Sequence, residues 1–88
     1  MKGFDIMNTL LKWLNKNDIE YYTEDWGIIK PSLKNVFFVY NNKAVVFTFR
    51  LNDKGEIKHG SYFVENIETR IQGYEKTIKK AIEMIDEI

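Results

Sequence analysis

His59 is the one histidine of this 88-residue chain and the only side chain whose ordinary pKa lies near neutrality. A histidine acting as a general base needs an acid to orient it, and Asp53 and Glu56 stand in the same stretch. Ser61 follows at i, i+2, on the same side of an extended strand, but no acid is spaced to complete a serine–histidine–acid relay. The simpler reading is a satisfied, partly buried histidine on the core side of a strand. A single histidine excludes a two-histidine metal motif, and the lack of cysteine excludes thiolate sites. The expectation is a protein with no catalytic residue, no metal and no cofactor.

Charged residues gather in three places. Asp18, Glu20, Glu24 and Asp25 form one acidic cluster, and Glu83, Asp86 and Glu87 another. Neither has the oxygen-ligand spacing of a calcium loop, so both read as solvated surface, with docking of a basic partner as the alternative. Lys30, Lys34, Lys43, Arg50, Lys54 and Lys58 oppose only Asp53 and Glu56 between residues 30 and 64, a net of +4 by count. Basic residues beside aromatic ones on a sheet suit single-stranded nucleic acid, which is held by stacking and by phosphate neutralisation. Phe37 and Tyr62 would stack, with Arg50, Lys58 and Thr48 at the backbone. The whole chain balances 13 basic against 13 acidic side chains, which argues against a strongly electrostatic binder of nucleic acid or anionic membrane.

The elements that position these residues are legible in outline. Residues 4–16 have helical periodicity, with Phe4, Met7, Leu11 and Leu14 on one stripe, Leu10 beside it and Trp13 at its shoulder. "NKND" at 15–18 ends that helix. Residues 19–34, broken by Pro31, read as an irregular arm or a weak edge hairpin. Three strands follow, at about 35–40, 43–51 and 56–64. Asn41-Asn42 suits a two-residue primed turn, and "NDKG" at 52–55 a type I turn closed by Gly55. A closing helix is predicted over 66–87, capped by Asn66 or starting only after Gly73. Ile67, Ile71, Tyr74, Ile78, Ala81, Ile85 and Ile88 repeat as a heptad seam, which an amphipathic helix lying across a sheet also explains.

This helix–three strands–helix order resembles that of double-stranded RNA-binding domains. That family places a K-K-x-A-K cluster at the start of its last helix. Here Lys76, Lys79, Lys80 and Ala81 lie further inside and lack that spacing.

The two turns fix a register. Val39 should face Ala44, Leu51 should face Ile57, Phe49 should face His59 and Val46 should face Tyr62. Alternation then divides the strands into two faces. Val36, Phe38, Tyr40, Val45, Phe47, Phe49, Leu51, Ile57, His59, Ser61 and Phe63 form the core face, on which both helices pack. The second face carries Phe37, Val39, Ala44, Val46, Thr48, Arg50, Lys58, Tyr62 and Val64. A solvated face of an antiparallel sheet is usually polar. This one is largely apolar, and three occupants suggest themselves: the 19–34 arm, a second copy of the chain, or a dedicated partner.

The sequence thus predicts one α+β domain over residues 1–88: an N-terminal helix, an antiparallel meander of three to four strands and a C-terminal helix. The N-terminus lacks a signal-peptide pattern and no apolar run approaches the ~20 residues of a membrane span, so a cytoplasmic protein without membrane contact is expected. The predicted function is a small non-enzymatic interaction protein, homo-oligomeric (a homodimer in the simplest case) or regulatory and inhibitory, of the kind that mobile elements carry as accessories. Its contact residues would be Phe37, Val39, Val46, Tyr62 and Val64.

Overall fold

The computed structural model describes the backbone of residues 3–88 and side chains from residue 6 onward, so the expected place of the Phe4 side chain on the helical stripe lies outside what is described. The chain is α+β. Helix α1 (Gly3–Lys16) leads into a five-stranded antiparallel meander, β1 (Tyr21–Trp26), β2 (Leu33–Tyr40), β3 (Lys43–Leu51), β4 (Ile57–Asn66) and β5 (Gln72–Glu75), and α2 (Ile78–Met84) closes it. The strands lie side by side in chain order, one more than the upper expectation.

Helix α1 buries Ile6, Leu10 and Leu14, spaced by four, with Met7, Leu11 and Trp13 on the shoulders. It stops because Asp18 turns to φ +55. The Ile19 N–H then donates to the Leu14 carbonyl and the Asp18 N–H to that of Asn15, which satisfies carbonyls the helix leaves free. Trp13 meets Phe38 and Tyr40 edge-on, with ring centroids 6.3 and 5.2 Å away. Both helices occupy one side of the sheet, over a core that includes Val36, Phe38, Val45, Phe47, Phe49 and Leu51.

The Asn41-Asn42 turn forms as predicted, with both residues at positive φ and Val39 opposite Ala44. Leu51 meets Ile57, also as predicted. Beyond that pair the expected register fails. The next pair is Phe49 with Tyr62, so two steps along β3 match five along β4. The three extra residues form a bulge at Gly60, whose φ is +80 and whose N–H donates to the Tyr62 hydroxyl at 3.3 Å. An odd insertion turns every later side chain of β4 over. Tyr62 and Val64, expected on the second face, are therefore 2% and 0% exposed beneath the helices. Phe63, expected in the core, takes the second face. His59 sits exposed in the bulge instead of opposite Phe49.

The C-terminal quarter also departs from expectation. Asn66 makes the contacts of a cap: its side-chain oxygen accepts from the N–H groups of Glu68 and Thr69. Only one turn follows, ended by Arg70 at φ +65, and the chain then returns as β5 along β4. Gly73 lies opposite Val64 on the helix side, where an added Cβ would come within 2.6 Å of the Met84 sulfur. Helix α2 begins only at Ile78, with the Thr77 hydroxyl accepting from the Lys80 N–H at 3.2 Å. The heptad seam is thus divided. Ala81, Ile85 and Ile88 are buried in the core, while Ile67, Ile71 and Tyr74 are exposed on the turn and strand before it.

Candidate interaction face

The 19–34 arm does not fold over the second face. It extends the sheet as edge strand β1, paired with β2 from Tyr21–Phe38 to Trp26–Leu33. Among the described residues no helix packs across that face, which remains open.

Its side chains fall into rows that run across the strands. One row is Tyr22, Phe37, Val46, Glu65 and Gln72. The next is Glu24, Asn35, Thr48, Phe63 and Tyr74, and a third is Trp26, Leu33 and Arg50. Tyr22 stacks on Phe37 with centroids 5.0 Å apart and planes 16° from parallel, and Trp26 leans on the same ring at 6.3 Å. Val39, 64% exposed, and Trp26, 51% exposed, stand at its margins. At the far side the Tyr74 hydroxyl donates to the Ser61 hydroxyl oxygen at 3.1 Å, and Arg70 pairs with Glu65 at 2.9 Å.

Of the expected contact residues, Phe37, Val39 and Val46 lie together on this face, whereas Tyr62 and Val64 belong to the core. The set expected to bind nucleic acid is divided in the same way. Arg50, Thr48 and Phe37 share the face, Lys58 is in the bulge with no ladder partner opposite Arg50, and Tyr62 is buried. Sequence reasoning missed Tyr22, Trp26, Leu33, Asn35, Phe63 and Tyr74. The signal for Phe63 was Gly60, since an isolated glycine inside a strand pattern marks a bulge.

A groove of about 300 Å³ runs through the middle of the face. Trp26 and Phe37 form one wall, Phe63 and Ile67 the other, and Asn35, Val46 and Thr48 line its floor. Asn35 is only 2% exposed. Its Oδ1 accepts from the Thr48 hydroxyl at 2.7 Å, and its Nδ2 is buried without a hydrogen-bond partner. Turning the amide end for end moves the deficit from donor to acceptor and leaves one end unpaired.

The residues first considered for chemistry do not converge. Glu56 accepts from the Asn52 side chain, and Asp53 lies 3.9 Å from the Lys30 ammonium. Glu24 accepts from the Trp26 indole, while Asp25 pairs with Lys34 at 3.0 Å. Among the described residues no three His, Asp or Glu side chains gather as a metal site, and no helix is long and apolar enough to cross a membrane. The structure has more strands than the helix–three strands–helix order, so that resemblance covers only part of its topology. Comparison with family models, with curated proteins and with solved structures finds no match to this chain.

Proposed function

We propose that this is a non-enzymatic cytoplasmic protein that acts by protein–protein contact through the open face of its sheet. The observation that carries this reading is the placement of both helices on one side of a five-stranded sheet. Tyr22, Trp26, Phe37, Val39, Phe63 and Tyr74 are left on the other. A connected apolar patch of several hundred Å² on a small chain marks a contact. Aromatic enrichment with few lysines is also the composition of interface centres.

The charges on the face favour protein over nucleic acid. A single-strand binder combines stacking rings with free cations along the backbone path. Here Glu24 and Glu65 lie among the rings, Arg70 is tied to Glu65, and Arg50 is the cation of the three rows without an ion pair. The exposed position of His59, with neither nearby acid bonded to it, supports the non-enzymatic part of the reading.

The test is photo-crosslinking in living cells, with a light-activated phenylalanine analogue at position 37 and a control at position 12, on the exposed side of α1. Position 37 is expected to yield protein adducts of defined mass, and position 12 none. Equal yields from both positions, no protein adduct from 37, or adducts to nucleic acid alone would overturn the reading.

A further inference from the structure

Resting on that reading of protein contact, we infer that the partner adds an extended basic segment to the sheet as a sixth strand, antiparallel along the free edge of β1. β1 is the first strand of the sheet and pairs only with β2. The register shows which of its backbone groups are free. The two-residue turn at Asn41-Asn42 makes Tyr40 and Lys43 a hydrogen-bonded pair. The Leu51 N–H donates to the Ser32 carbonyl at 2.9 Å. Ser32, Tyr40 and the even-numbered residues between them therefore turn their N–H and C=O groups to β3. Leu33, Asn35 and Phe37 turn theirs to β1, where they meet Trp26, Glu24 and Tyr22. Tyr21, Thr23 and Asp25 point theirs outward, a row of alternating donors and acceptors. Among the described residues no backbone bond from a turn or loop reaches that row, and β1 is exposed throughout.

An exposed edge is usually protected by proline, lysine, a bulge or a covering element, because its free backbone groups are a template for another strand. Residues 21–26 contain neither proline nor lysine, and their register with β2 is unbroken. The opposite edge differs: β5 is only four residues long, and α2 packs against it. What β1 carries instead is acidic charge, which selects the strand that can join it.

Residues 18–27 hold Asp18, Glu20, Glu24 and Asp25 and no lysine or arginine. Asp25 is paired with Lys34 at 3.0 Å, whereas Glu24 accepts from the Trp26 indole and forms no ion pair. A second copy would bring another acidic strand alongside and is opposed by like-charge repulsion. A basic strand is attracted. Glu24 would stand in a pair without ladder bonds, where facing side chains come closest. An arginine or lysine there meets the Glu24 carboxylate, and residues two places to either side meet the rings of Tyr22 and Trp26. The favoured segment therefore runs apolar, small, basic, small, apolar. At the start of β1 the open face deepens into a groove of about 560 Å³, whose lining includes Asp18, Glu20, Tyr22, Phe37, Val39 and Ile67 but no cation. An apolar residue beside a basic one suits that end too.

Amide NMR of the purified full chain tests this, with a blocked nonapeptide as the probe. The peptide alternates valine and threonine, with arginine in place of the central valine. At saturation it should slow amide exchange ~10-fold or more at Tyr21, Thr23 and Asp25. Exchange at Tyr22, Glu24 and Trp26, already bonded to β2, should change little. Methylating the amide nitrogens of the two threonines beside the arginine removes the donors that face β1, and binding should be lost. Glutamate in place of the arginine should weaken binding ~10-fold or more. Glu24→Lys, at an exposed position, should reverse that preference. A folded chain that does not respond to millimolar arginine peptide would overturn the inference. So would protection at other residues, or binding indifferent to methylation or to the charge on either side. Protection of the same three amides without peptide, in a species of twice the chain mass, would put a second copy on the edge and overturn it as well. If the peptide fails while position 37 still crosslinks to protein, the added strand falls and the open-face reading stands.

Discussion

Tyr62 stands directly across from Phe49 in the β3–β4 ladder, with the two rings edge-to-face at 5.9 Å and planes 78° apart. This pair lies under the helices, so Tyr62→Ala should cost ~3–5 kcal/mol, as the loss of a large core ring does. Phe63, one residue on and half-buried on the open face, should cost ~1 kcal/mol or less in the isolated chain when truncated to alanine. Chemical denaturation of the two variants at low protein concentration checks the order. Equal losses, or a larger one at Phe63, would mean that β4 presents its other side to the helices.

Gly60 is where β4 turns over, and its φ of +80 is a conformation that a Cβ disfavours. The space around it is open, since an added Cβ would meet only the Lys76 carbonyl at 3.9 Å. Gly60→Ala therefore isolates the backbone term and should destabilise by ~1–2 kcal/mol. Gly60→Asn should cost less, because asparagine tolerates positive φ better. Denaturation midpoints indistinguishable from wild type for both would show that the bulge does not depend on that dihedral.

The hairpins were legible because their turns are local chemistry. Asn41-Asn42 and the run from Asn52 to Gly55 specify their own geometry, and the pairs that touch them, Val39–Ala44 and Leu51–Ile57, follow. The open face was legible in part for the same reason: Phe37, Val39 and Val46 sit on strands fixed by the first turn. Everything past Gly60 required counting an insertion that alternation cannot reveal, which is why Tyr62 and Phe63 exchanged roles. Strands β1 and β5 are edge strands paired on one side only, to β2 and β4, and their own residues do not insist on it. Tyr21–Trp26 is exposed along its whole length. The residues of β5 fall on a helical repeat by sequence, but Arg70 breaks the turn that Asn66 begins, and Gly73 leaves room for Met84.

Ile28 and Ile29, at the tip of the β1–β2 connection, are 103% and 96% exposed. They bury no area in the folded chain, so they contribute nothing to its hydrophobic stabilisation. The double substitution Ile28→Ser with Ile29→Ser should change the unfolding free energy by no more than ~0.5 kcal/mol. A loss above ~1 kcal/mol in urea denaturation would show that the tip packs against the domain.

Tyr40 ends β2 beside the C-terminal turn that follows α2. A hydrogen bond to the Asp86 carboxylate, then burial and the charge of Asp86, hold its phenol above the ordinary tyrosine value. At the same end, the Lys43 ammonium donates to the Ile85 carbonyl at 2.8 Å, so the first residues of β3 also grip this turn. The pH dependence follows from the direction of the Tyr40 shift. A pKa raised by folding contributes stability that is fully present below the unfolded value of about 10 and is lost as pH rises through the folded value. Stability should therefore fall above about pH 10, as ionised Tyr40 releases Asp86. Asp86→Asn removes the carboxylate and should lower the phenol's midpoint, and Tyr40→Phe should remove that step from the titration. Phenolate absorbance of the three proteins, followed with pH beside their denaturation midpoints, makes the comparison. Superimposable titrations of wild type and Asp86→Asn would show that the carboxylate does not hold the phenol in solution.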